Sequence, residues 1–198
     1  MIFKPKFTDL SAQSGVEGRQ DEQHGWLVHI RHLSKRKTVL DVGCGLSQTQ
    51  KHLPDAKVFT HEPAPGCPAD FKCDISDVKG TYDIVVCNDV IEHVVEYGRF
   101  IRQLYRLTKR YLFITTPGAE ATENTSPYHF HEFHPWELLQ TLEVAGFTLN
   151  HAWGQLWEGP CEYDGGTPSN LLTGVVDLER HHLLERRHIH PLALLMQK

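Results

Sequence analysis

Asp41, Gly43 and Gly45 stand in the run Val39-Leu40-Asp41-Val42-Gly43-Cys44-Gly45-Leu46-Ser47. A short apolar run carries a carboxylate near its end, and two glycines follow with one residue between them. The polar stretch from Gln48 to Leu53 then starts a helix. A buried strand, a tight turn and a helix N-terminus in that order hold a nucleotide-like ligand against backbone N–H groups. The spacing narrows the ligand further. A dinucleotide loop wants a third glycine where Gln48 stands, because that glycine permits close helix–strand packing around the pyrophosphate. No Gly-Lys-Ser/Thr follows, so a P-loop is excluded. A carboxylate two residues before the first glycine suits a ligand that carries a cation.

The elements that must position this loop are legible as periodicities. Thr38 to Val42 reads as the first strand and Lys57 to His61 as the second, closed by Glu62-Pro63 because proline ends a ladder. Phe71 to Asp74 reads as a short third strand. Tyr82 to Asn88 is apolar in nearly every central position, as strands covered on both faces are. Glu96 to Lys109 is an amphipathic helix, and Tyr111 to Thr115 is a strand stopped by Pro117-Gly118. Pro135 to Ala145 reads as a helix ended by Gly146. Phe147 to Trp157 alternates as a strand does, and Leu192 to Met196 is its candidate partner. Before the first strand, Trp26, Leu27, Ile30 and Leu33 recur at helical spacing within Gln20 to Lys35. Strands alternating with helices point to an α/β sheet with right-handed crossovers.

The 198 residues fit one domain with a proper core. Four parts are expected: a helical segment over 1–36, a ligand-binding core over 37–157, an insertion over 158–190 and a final strand over 191–198. The insertion begins with a Gly- and Pro-rich loop. A helix is expected to follow, with Leu171, Leu172, Val175, Val176, Leu183 and Leu184 on its apolar side. A net charge of −5 argues against broad nucleic-acid binding. No apolar run approaches the length of a membrane span. Five cysteines without a C-x-x-C pair read as reduced thiols of a cytoplasmic protein.

From about residue 36 to 157 the chain resembles the class I S-adenosylmethionine (SAM)-dependent methyltransferases, in particular small-molecule enzymes with an Asp-Val-x-Glu-His-Val segment. The resemblance rests on Val39 to Gly45, on Thr60-His61-Glu62-Pro63, on Cys73-Asp74-Ile75, on Tyr82 to Val94, and on Tyr111 to Pro117. Ser47 replaces the family's usual small residue, often glycine. Leu107-Thr108-Lys109-Arg110 stands where Pro-Gly-Gly is usual.

The resemblance implies a Rossmann-like fold, with a mostly parallel seven-stranded sheet, helices on both faces and an antiparallel C-terminal strand. It implies SAM as cofactor and S-adenosylhomocysteine as product. Gly43, Cys44 and Gly45 then lie against the methionine part, whose ammonium Asp41 favours. Glu62, followed by Pro63, accepts from the ribose hydroxyls. Asp74 accepts from the adenine amino group, with Ile75 against the ring, and Asn88 lies near the methionine part and the substrate.

Methyl transfer from a sulfonium depends mostly on positioning, because the leaving group is neutral. A hydroxyl acceptor also benefits from a base, and imidazole is matched to neutral pH. His93, after the fourth expected strand, is the first candidate. His131 is the second, in the histidine-dense segment Pro127 to Pro135. A small-molecule oxygen or nitrogen acceptor is expected, and no metal. A second resemblance, to metal-dependent small-RNA 2′-O-methyltransferases, groups Asp89, Glu92, His93 and His131 as imitators of a metal set. A non-catalytic SAM-fold binding protein is a third reading. The insertion, with Trp157 and Tyr163 at its start, is the candidate substrate cover. The run His181-His182 to His190, with Arg180, Arg186 and Arg187, reads as a solvated helix face.

Overall fold

A computed structural model describes residues 26–118, 128–156, 176–178 and 189–198. A 3-10 turn, Trp26–Ile30, runs into α1, Arg31–Ser34. Then follow β1 (Thr38–Val42), α2 (Thr49–His52), β2 (Lys57–His61), β3 (Tyr82–Asn88), α3 (Tyr97–Leu107), β4 (Thr108–Thr116), α4 (Pro135–Val144), β5 (Thr148–Leu156), β6 (Val176–Leu178) and β7 (Ile189–Gln197). The sheet order is β2-β1-β3-β4-β7-β5-β6. The first four strands are mutually parallel, whereas β7 runs antiparallel to both β4 and β5.

Residue alternation explains how the sheet is covered on both faces. Leu40, Val42, Val85, Cys87, Leu112 and Ile114 point to one side, where Phe100, Ile101, Leu104 and Leu107 of α3 and Leu138, Leu139 and Leu142 of α4 meet them. Val39, Ile84, Val86 and Phe113 point to the other, against Trp26, Leu27, Ile30 and Leu53. This period-two split of an apolar strand set is what a sheet between two layers requires. At the strand starts, Asp83 ties β1 to β3: its Oδ2 accepts from the Thr38 backbone N–H at 3.0 Å and from the Thr38 hydroxyl at 2.9 Å.

Two expectations are corrected. Phe71 to Asp74 is no strand but a single parallel bridge, His61 to Phe71. Beyond the bridge the Ala64 N–H donates to Glu62 Oε1 at 3.0 Å and the Cys73 carbonyl faces His61 Nε2 at 2.9 Å, so the next rung does not form. Within the helix expected over Leu171 to Leu184, Val176–Leu178 is a short edge strand, with Ala152 opposite Leu178 and Gly154 opposite Val176. The rest of that helix, the histidine run 181–188, Trp157, Tyr163 and most of the expected substrate cover lie outside the described residues. No helix among the described residues is long and apolar enough to cross a membrane.

Candidate functional site

The chain leaves β1 for β2 on one side and then crosses to β3 on the other. A crevice therefore opens at the carboxyl ends of β1 and β3, where ligands sit in open α/β sheets. The loop after β1 is fixed there by its own backbone. Gly43 and Gly45 adopt φ of 71° and 50°, and Ser47 adopts 32°. The Gly43 and Cys44 N–H groups both donate to the His61 carbonyl at the end of β2, at 2.8 and 3.1 Å. A Cβ on Gly43 would stand 2.4 Å from Val90 Cγ2, so only glycine fits. A Cβ on Gly45 would meet nothing within 4 Å. The second glycine therefore faces open space, the property of a cradle.

Glu62 closes this cradle from the β2 side. Its Oε2 accepts from the Gly45 N–H at 3.1 Å and its Oε1 from the Ala64 N–H at 3.0 Å, so the carboxylate is held in one orientation beside the loop. Pro63 lies exposed next to it. Asp41 is 1% exposed and faces inward. Its Oδ2 accepts from the Ser47 hydroxyl at 3.1 Å and the Thr49 hydroxyl at 2.8 Å, which fastens the loop to the start of α2. Cys44 points into the interior, and burial, reinforced by the charges of Asp41 and Glu62, pushes its thiol up to about 12. Cys44 thus offers the site its backbone and no thiolate.

Asp74 and Ile75 stand at the next turn along the crevice. His61 Nε2 lies 2.9 Å from the Cys73 carbonyl, joining this turn to the end of β2. Asp74 caps the 3-10 turn Ile75–Asp77: its Oδ1 accepts from the Ser76 hydroxyl at 2.7 Å and the Ser76 N–H at 2.8 Å, and these bonds lower its pKa. From behind, Arg106 of α3 donates to the carbonyls of Val78 and Ile75 at 2.9 and 3.0 Å. Asn88, the last residue of β3, has both amide atoms buried and without a hydrogen-bond partner. Such groups cost about 1–3 kcal/mol each while unpaired. An unsatisfied amide at the ligand end of a central strand fits a polar ligand there. After it the chain turns sharply at Asp89, φ 49°, whose Oδ1 accepts from the Thr115 hydroxyl at 2.9 Å.

The 3-10 turn Ile91–His93 follows β3 and meets the segment leading into α4. The Glu92 carbonyl accepts the Phe130 N–H at 2.8 Å, which binds the two together. Glu92 is buried, and desolvation next to Asp89 raises its pKa well above the ordinary range. The His93 Nδ1 lies 3.0 Å from the Tyr128 carbonyl, and desolvation lowers the pKa of the ring. The two histidines expected as catalytic candidates, His93 and His131, are engaged differently. His93 lies edge-to-face with His129, ring centroids 4.9 Å apart. His131 stacks on Tyr97 and has its Nε2 2.9 Å from Glu137 of α4. His129 was not singled out from the sequence. The available signal was Glu132, three residues on, whose Oε1 lies 2.7 Å from the His129 Nδ1.

No curated protein matches the sequence. A family model described as "Methyltransferase domain" matches residues 23–169. The fold is similar to that of 1,6-didemethyltoxoflavin-N1-methyltransferase from Burkholderia thailandensis, solved with 1,6-didemethyltoxoflavin and S-adenosylhomocysteine. That match has 17% identity and a TM-score of 0.61, over 94% of this chain and 83% of that one. It is also similar to magnesium protoporphyrin IX methyltransferase from Synechocystis PCC 6803 with bound SAM: 17% identity and TM-score 0.58, over 100% of this chain and 86% of the other. The N-methyltransferase NodS of Bradyrhizobium japonicum WM9 matches at 12% identity and TM-score 0.59, over 92% and 97% of the two chains. The chain belongs to the methyltransferase-domain family and has the fold of the class I SAM-dependent methyltransferases.

Proposed function

We propose that this protein transfers the methyl group of SAM to an oxygen or nitrogen atom of a small molecule. The observation that carries this reading is Glu62, held by two backbone N–H groups beside a glycine turn that is open at Gly45. A carboxylate fixed at the end of the second strand is placed to accept from two ribose hydroxyls. Gly43, Cys44 and Gly45 give the methionine part a bare backbone, and Asp41 keeps the loop in shape from beneath. Asp74 and Ile75 flank the adenine, and the unpaired amide of Asn88 meets the polar end of the methionine or the acceptor.

When bound, SAM supplies a methyl group on a sulfonium whose departure leaves a neutral thioether. The protein's part is alignment and exclusion of water. In this reading His93 is the base for a hydroxyl acceptor, and the desolvation that lowers its pKa favours the neutral imidazole that role needs. His131, anchored on Glu137, holds the segment that carries His129. A small acceptor is supported by a net charge of −5, which repels polyanions, and by the small molecules named for the similar structures.

Isothermal titration with SAM and with S-adenosylhomocysteine tests the reading. Binding of both is expected, with release of S-adenosylhomocysteine in the presence of phenolic or amine acceptors. A folded protein that binds neither compound refutes it.

A further inference from the structure

Three metal-ligating side chains meet where the turn after β3 touches the segment before α4. Glu92, His93 and His129 each offer one ligand atom, and these atoms lie within 4.8 Å of one another. Their surroundings have the form of an outer coordination shell. A carbonyl only accepts, so the His93 Nδ1 that faces the Tyr128 carbonyl at 3.0 Å carries the proton, and Nε2 keeps its lone pair. The His129 Nδ1 faces Glu132 Oε1 at 2.7 Å, and the Glu132 side chain is only 3% exposed. Imidazoles that bind metals are oriented in this manner, by a carboxylate or a carbonyl on the opposite ring nitrogen.

Glu92 supplies the oxygen ligand. It is 1% exposed, and its Oε2 accepts from the Thr116 hydroxyl at a long 3.3 Å. We propose that Glu92, His93 and His129 form a binding site for a divalent transition-metal cation. Two imidazoles and a carboxylate suit zinc, manganese or ferrous iron, and three protein ligands leave coordination positions open. Metal–ligand bonds of about 2.0–2.2 Å require the three atoms to close by on the order of 1.5 Å, a side-chain adjustment. His131, which sequence resemblance grouped with Glu92 and His93, is bonded to Glu137 instead. The inference goes beyond the methyl-transfer reading, and in it His93 is a ligand and no longer a free base.

The test uses the full chain, stripped with chelator and titrated with Co²⁺, whose visible absorption reports nitrogen and oxygen coordination. One Co²⁺ per chain is expected. Affinity should fall at least tenfold in His93→Ala and in His129→Ala, and about 10–100-fold in Glu132→Gln, which keeps all three ligands. The exposed His32→Ala variant should bind as the wild type does. Thermal melts accompany each variant, and Glu132→Gln decides the matter where an alanine variant does not fold. Absence of a Co²⁺ spectrum, or a spectrum unchanged by all of these substitutions, overturns the proposal. S-adenosylhomocysteine titrations on the same samples keep the two readings apart: cofactor binding without Co²⁺ binding removes the metal site alone, and the reverse removes methyl transfer alone.

Discussion

Gly43 and Val90 touch across the floor of the crevice, the first behind β1 and the second behind β3, with room for no atom between them. The contact sets how closely the loops after β1 and β3 approach. Gly43→Ala places a methyl group 2.4 Å from Val90 Cγ2 at a φ of 71°. The backbone conformation costs about 1–2 kcal/mol and the overpacking about 1–3 kcal/mol. The melting temperature should fall by roughly 4–20 °C at about 2–4 °C per kcal/mol. Adding Val90→Ala should restore part of the loss and leave the backbone term. A Gly43→Ala melting temperature equal to the wild type's would show that the contact is not as tight as described.

Glu62→Gln keeps the size of the side chain and removes its charge. One amide oxygen accepts one of the two N–H groups of Gly45 and Ala64, and the other N–H meets a donor. S-Adenosylhomocysteine affinity should drop at least tenfold, equivalent to about 1.4 kcal/mol, with the fold intact by circular dichroism. Unchanged affinity would remove Glu62 from the cofactor site.

Asp83 makes stability depend on pH in the acid range. Its pKa is lowered, first by the Thr38 backbone N–H, and further by the Thr38 hydroxyl and Lys109. A lowered carboxyl pKa contributes stability that is present above the unfolded value, near 3.8, and is lost as pH falls through the folded one. Asp83→Asn should therefore melt lower than the wild type at pH 7, with the gap narrowing below pH 3.8. A gap that widens with acid would contradict the bonding at the strand starts.

Cysteine reactivity should follow burial. Cys44, pushed up to about 12, and Cys87, raised well above its ordinary value by burial, are almost wholly protonated at pH 8. Iodoacetamide at that pH should spare both in the folded protein and label them only after denaturation, as mass spectrometry of peptides would show. Because folding raises the Cys44 pKa above 9.0, stability should also decline as pH rises from 9.0 toward 12. Rapid labelling of native Cys44 would mean that the loop opens readily.

The elements that repeat a strong local pattern were legible in the sequence. β3 and β4 announced themselves by central apolar runs, β1 by a short apolar run that carries Asp41, and α3 by Phe100, Ile101, Leu104 and Leu107. Phe71 to Asp74 misled because the side chains of His61 and Glu62 engage the Cys73 carbonyl and the Ala64 N–H that a second rung would need. Val176–Leu178 misled because Val and Leu spacing over so short a run satisfies a helix and a strand alike, and only pairing with β5 decides. In the site, the glycine loop could be read because backbone chemistry dictates glycine at Gly43. The roles of His93, His129 and His131 could not, because which ring meets which carboxylate depends on how the segment before α4 crosses the turn after β3.

β7 follows every other strand in the sequence yet lies between β4 and β5. During synthesis the parallel half is complete, with its β4 edge exposed, before the strand that covers that edge has emerged. Thr115 and Thr116 then offer unpaired backbone groups until Ala193 and Leu192 arrive opposite them. A stalled or shortened chain would present this edge to strands of other molecules, so aggregation and not loss of activity alone is the expected fate of variants that weaken the last strand.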